Sequence, residues 1–158
     1  MGQTFELDRE NIIRLFPGLT TDTDFQITSK ASHRYNCIAW AYKYDDRWME
    51  YGGKYELDGV IYWWPDGVNN TPYIDAYADA FKLRGYEFCE SWLHESDYEK
   101  IALYVDKEQR CTHAAREKRN GTWTSKLGKS NDISHNSPYS IEGDFYGRVE
   151  CIMKRKWE

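Results

Sequence analysis

The chain has 158 residues, a formal net charge of -5 and a pI near 5.4, a balance that argues against broad electrostatic binding to nucleic acid or anionic membranes. No apolar run approaches the roughly 18 residues of a membrane span, and the N-terminus lacks the charged-then-apolar order of a secretory signal. A chain this long is expected to form a single domain over 1–158 that buries about two-thirds of its unfolded surface. Its 16% aromatic content, 7 Trp, 13 Tyr and 6 Phe, asks for a use.

Met1-Gly2 opens like a myristoylation motif, but Glu6 stands where that motif needs Ser or Thr. Asp8 is placed to cap a short helix reaching Phe16, with Ile12, Ile13, Leu15 and Phe16 as its apolar face and Pro17-Gly18 as its stop. From Leu19 to Arg34 the chain reads as an irregular connector, so that 1–34 precede a core expected over 35–153. Asn36 then caps a second helix that begins at Cys37 and carries Trp40, Ala41, Tyr44 and Trp48 along one stripe, a pattern that implies a buried central helix.

Val60-Ile61-Tyr62-Trp63-Trp64-Pro65 is a short apolar run closed by a turn at Pro65-Asp66-Gly67. Asn70-Thr71-Pro72 predicts a capped helix with Ile74, Tyr77, Ala78 and Phe81 on its face and Gly85 at its end. Beyond Gly85 the texture alternates: residues 86–88, 101–105, 112–117, 121–127 and 146–153 read as strands, with Asn120-Gly121 marking a hairpin. Helices followed by an antiparallel sheet of about five strands define an α+β fold.

Cys37, Cys89, Cys111 and Cys151 are widely spaced and form no CxxC pair, which reads as four reduced thiols in a cytoplasmic protein, open to delivery by a dedicated secretion machine. Cys37 is the chemically suggestive one. A helix start presents unpaired N–H groups that favour a thiolate. A histidine reaching that thiolate makes a nucleophile and base, and His113 is the first candidate, with His135 as rival base or orienter.

Tyr35-Asn36-Cys37-Ile38-Ala39 resembles the aromatic, Asp, Cys, small-residue start of NlpC-type enzymes, and Thr112-His113-Ala114 resembles the histidine strand of papain-like cysteine peptidases. Trp123 to Gly128 resembles the segment where those enzymes place a third polar residue three before a glycine, here Ser125, and Tyr146-Gly147-Arg148-Val149 looks like their closing strand. The resemblance, to a bacterial domain on that fold, runs in order from Tyr35 to Met153. It implies a papain-like (NlpC-type) core whose central helix packs on the sheet. It also implies thiol-mediated cleavage or transfer at an amide or ester bond of a peptide-like or acyl substrate, without a cofactor. Cys37 would be the nucleophile, His113 the base and then the acid, and Ser125 the orienter. Ala31 stands where papain carries its oxyanion glutamine, which leaves the Cys37 N–H as donor.

Other roles compete for the same residues. A cysteine beside Trp40 and Ala41 is often a small core residue, and a non-catalytic binding or immunity-like module, with a protein partner, is the alternative on the same fold. Trp40, Trp63, Trp64 and Trp123, with Trp48, are candidates to floor a substrate cleft, although such rings are mostly core. Arg116, Lys126 and Lys129 suggest a positive rim or a solvated edge. His33, Cys37, His113 and His135 have zinc-ligand chemistry without the tight spacing of a structural site, so no metal is expected.

Overall fold

Asp8 does start the first helix. In the computed structural model, which describes residues 6–158, its carboxylate accepts the Asn11 N–H at 2.8 Å and α1 runs Arg9–Leu15; Met1-Gly2 and its acylation motif lie outside the described residues. Pro17 does not stop the chain's coiling but opens a 3₁₀ turn over Pro17–Thr21, since a proline at the first position loses no hydrogen bond. The connector is part of the sheet. Its segment β1 (Gln26–Ile27) pairs with β9 (Asp132–His135) through Gln26↔Ser134 and Ile27↔Ile133, so the sheet begins upstream of residue 35.

The second helix is shorter than its stripe predicts. α2 spans only Cys37–Ala41, because Lys43 adopts φ 72° and the chain closes the helix with Lys43 N–H to Trp40 O (3.0 Å) and Tyr44 N–H to Ala39 O (2.8 Å). Trp48, read as helical, lies instead in β2 (Trp48–Met49), parallel to β4 (Val60–Trp63), which forms a hairpin with β3 (Lys54–Leu57). The hairpin turns on Asp58-Gly59, both at positive φ, a pair whose turn preference the sequence carries in plain view.

α3 (Ile74–Lys82) takes Tyr73, not Asn70, at its N-cap, because Asn70 turns its amide oxygen to the Gly52 N–H and Pro72 O is engaged by Cys111 N–H at 2.9 Å. Ala76, Tyr77, Ala80 and Phe81 are buried, and Gly85 ends the turn at φ 87°.

The remaining strands are β5 (Glu87–Cys89), β6 (Tyr98–Val105), β7 (Cys111–Glu117), β8 (Trp123–Lys126) and β10 (Arg148–Lys156). With β1 and β9 they make an antiparallel sheet of seven strands in the order β1-β9-β8-β7-β6-β10-β5, beside the three-stranded sheet β2-β4-β3. The architecture is therefore α+β, with two more strands in the main sheet than its alternation suggests. Successive residues face opposite sides, and the sheet separates two cores. α2 and α3 pack with Ile101, Leu103, Ala114 and Met153 on one side; Ile12, Phe16 and Leu19 pack with Ala102, Tyr104, Ala115, Trp123, Ile133 and Tyr146 on the other. Among the described residues no helix is long and apolar enough to cross a membrane.

Candidate active site

Asn36 builds the start of α2 and ties it to the small sheet. Its Oδ1 accepts the Ala39 N–H (3.0 Å) and the Met49 N–H (3.1 Å), while its Nδ2 donates to Met49 O (2.8 Å). One side chain thus satisfies a helix terminus and fixes β2 beside it. Cys37 follows, 8% exposed, and lines a cleft of about 470 Å³ at the end of the main sheet.

That cleft exists because β7 and β8 part. Their ladder covers Arg116↔Thr124 and Glu117↔Trp123, and the strand ends beyond it, Cys111-Thr112 and Leu127-Gly128, form cleft walls together with Trp48, Tyr77 and Tyr146. Where the ladder stops, side chains take over. His113 Nε2 and Ser125 Oγ are 3.0 Å apart, Ser125 Oγ and His135 Nε2 2.8 Å, and His135 Nδ1 and Ser137 O 2.8 Å.

The direction of this chain of bonds is forced from its far end. Ser137 O can only accept, so His135 Nδ1 carries a proton. Burial drives the His135 pKa down to about 4, against the opposing pull of Ser137 O and Asp22, so the ring is neutral and its Nε2 bare. Ser125 must then donate to His135 and accept from His113 Nε2–H. Burial, reinforced by His135, holds His113 well below its usual range as well. Its Nδ1 is therefore an unprotonated lone pair, fully buried and without a hydrogen bond.

The sequence-predicted residues are brought together in part. His113, Ser125 and His135 form one relay, on the face of the sheet shared with Tyr104 and Tyr146, and the His113 ring stacks on Tyr146 with centroids 3.9 Å apart. Cys37 approaches from the α2 side, where the backbone N–H of Ala114, one residue past His113, favours charge on its sulfur. The thiol is not acidified at rest. Burial pushes its pKa up to about 11, outweighing the N–H groups of Ala114 and Ile38 and the charge of Lys126.

Four of the aromatic candidates lie away from the cleft. Trp123 is 1% exposed, and Trp64 is buried with its indole N–H on Asn69 O at 3.2 Å. Trp63 packs against Tyr42 and Tyr44, and Trp40 donates to Thr124 Oγ1 (3.0 Å) beneath the Arg116 guanidinium. None of the four lines the cleft, whose aromatic walls are Trp48, Tyr77, Phe145 and Tyr146. Of the three cations weighed as a positive rim or a solvated edge, only Lys129 lines the cleft; Arg116 donates to Trp40 O (2.9 Å) and Lys126 is fully buried rather than solvated. His33 is not among the cleft residues, and among the described residues no three His, Cys, Asp or Glu side chains cluster as a metal site.

Trp48 is the aromatic candidate that does line the cleft, whereas Tyr146 was legible only as an aromatic, since nothing local says which ring faces a cleft. Tyr146 belongs to a segment bounded by Gly143 and Gly147, both at positive φ and bridged to each other. Gly147 is fixed by more than conformation: a Cβ there would lie 2.0 Å from Val105 O.

The class that fold and site define is an α+β domain with a buried His113–Ser125–His135 relay on one face of its main sheet and, on the α2 side, a cysteine that lines a cleft. Within it, the chain belongs to the family described as Domain of unknown function (DUF7689), whose model matches residues 26–154. No curated protein and no solved structure matches the chain.

Proposed function

We propose that the protein is a thiol hydrolase or acyltransferase acting on an amide or ester bond of a peptide-like or acyl substrate, on a papain-like (NlpC-type) core. The observation that carries the reading is the bare Nδ1 of His113, whose other nitrogen is committed to the Ser125–His135 relay. A buried imidazole held in one tautomer with its basic nitrogen unspent is what a general base requires. In this reading thiol and imidazole are both neutral at rest, and the proton moves from Cys37 Sγ to His113 Nδ1 as substrate fills the cleft. The thiolate adds to the acyl carbon, the imidazolium returns its proton to the departing nitrogen or oxygen, and a thioester remains. Water or another acceptor, deprotonated by Nδ1, then releases the acyl group and restores the thiol. The N–H of Cys37 is the candidate donor to the oxyanion.

The test is an activated acyl ester such as p-nitrophenyl acetate, with mass spectrometry of the intact protein and its peptides. An acyl adduct on Cys37 is expected, absent in Cys37→Ala and formed at least about 100-fold more slowly in His113→Ala. Acylation spread evenly over the four cysteines, or unchanged without His113, would sink the proposal.

A non-catalytic binding module is favoured by two specific observations, the raised thiol and the Tyr146 ring lying on the imidazole. Uniformly slow iodoacetamide labelling of all four thiols is its signature.

A further inference from the structure

A five-residue helix supplies little electrostatic help to the thiol at its head, and a second source of positive charge lies beneath the cleft. Lys126 ends β8 on the α2 side of the sheet, is 0% exposed, and donates through Nζ to Ser32 O (2.6 Å) and to Gly128 O. Its ammonium also sits 4.8 Å from the centre of the Tyr35 ring. Ser32 and Tyr35 belong to the segment leading into Cys37, and Gly128 lines the same cleft as Cys37. Lys126 therefore bridges the segment that enters α2 and a wall of the cleft.

Two carbonyls solvate an ammonium incompletely, and among the described residues no carboxylate pairs with it. Asp132, its partner in the β8–β9 register, spends Oδ2 on the Tyr35 hydroxyl (3.0 Å) and leaves Oδ1 buried and unbonded. A buried cation in that position favours any anion that forms nearby. The ionisable groups of the site narrow the choice. Tyr35, Tyr77 of α3, Tyr146 and Cys111 are all held protonated by burial, and His113 is held neutral. Asp132 and Arg116 are the other charge carriers facing the cluster, while Glu50 and Lys129 line the cleft itself. Cys37 is the group whose charge changes in the chemistry proposed above.

We infer that Lys126 is the positioning residue that stabilises the Cys37 thiolate, so that ionisation of the thiol is coupled to the charge on the lysine. The inference deepens the thiol reading and rests on it for its purpose, but its readout is thiol reactivity and needs no substrate. Burial brings the Lys126 pKa down to about 8, opposed by Asp132 and Cys37, which makes the coupling visible in solution. Below that pH each unit of alkalinity raises the thiolate tenfold. Above it, one proton has already left the pair, and the thiolate–ammonium form holds a constant share until the second leaves.

The experiment is peptide-resolved iodoacetamide alkylation of the whole chain from about pH 6 to 11. For the wild type, the Cys37 rate is expected to rise, flatten into a plateau beginning near pH 8, and rise again; Cys89 and Cys151 should show no such step. Lys126→Met should abolish the plateau and slow Cys37 at least about tenfold at pH 8, the equivalent of one unit of thiol pKa. Lys126→Arg, which keeps its charge throughout, should restore the rate without the plateau. A single uninterrupted rise in the wild type overturns the inference, and it does so even if Lys126→Met fails to fold. Unchanged Cys37 rates in a folded Lys126→Met overturn it equally. His113→Ala separates the two claims: loss of acylation with the plateau intact supports both, whereas acylation unaffected by His113→Ala removes the base and leaves the lysine coupling standing.

Discussion

Ser125 links two buried imidazoles, accepting from His113 Nε2–H and donating to His135 Nε2, and so passes the tautomer set at His135 on to His113. Ser125→Ala leaves His113 Nε2–H and His135 Nε2 buried with no partner, and an orphaned buried polar group costs about 1–3 kcal/mol. Urea titration should find stability lowered by that amount, and acylation of Cys37 should slow because the His113 tautomer is no longer fixed. The local settings of the candidate residues were the legible part. Cys37 behind an Asn cap, His113 in a strand and Ser125 two residues past Trp123 could all be read from local pattern, and the relay joins the last of these to His113. Exposure was not legible. Trp64 and Trp123 were read as cleft residues, yet ring burial depends on which long-range layer covers it, and a strand's own letters do not record that. The raised thiol has the same origin: burial, not the helix start, sets it.

At the level of elements, α2 is held by its cap more than by its length. Replacing Asn36 with Ala removes the bonds to Ala39, Met49 N–H and Met49 O together, so the loss should exceed the roughly 1 kcal/mol typical of a cap alone. Denaturant unfolding measures it. Lys43 works in the other direction. It sits at φ 72° where a side chain is strained, and Lys43→Gly should relieve about 1 kcal/mol of strain while losing the ion pair with Glu99 at 2.7 Å. Lys43→Asn, which tolerates that conformation, checks the same point. Strands over 101–105 and 112–117 were legible from period-two alternation, and the structure extends them to Tyr98–Val105 and Cys111–Glu117. The short pieces β1, at the sheet edge, and β9 beside it were not, because two to four polar-rich residues carry no period and take their extension from the partner strand.

For the molecule as a whole, the buried histidines make acid the weak direction. His113 and His135 are folded in neutral form with depressed pKa values, so below about pH 6.5 the unfolded chain binds protons that the native state refuses. Stability contributed this way is complete above pH 6.5 and is lost as pH falls toward about 4 for His135. At pH 5 the loss through His135 is about 2 kcal/mol, and His113 adds in the same sense. Asp132 and Glu117, raised by burial, offset part of it by taking up protons earlier when folded. Calorimetry should show the melting temperature falling from pH 7 to 5, and falling less in His135→Asn, which cannot titrate but can keep bonds to Ser125 and Ser137.

The strand order carries a consequence for how the polypeptide assembles. β10 lies between β6 and β5, and β5 touches the main sheet only through it, Glu87 pairing with Lys154. Residues 87–89 consequently have no ladder to join until synthesis has passed position 154, and one flank of β6 stays bare for the same interval. Closing loops of this span is slow relative to forming helices or hairpins, so the nascent chain spends that time with an unpaired apolar border and depends on prompt completion, or on a chaperone, to avoid sticking to its neighbours.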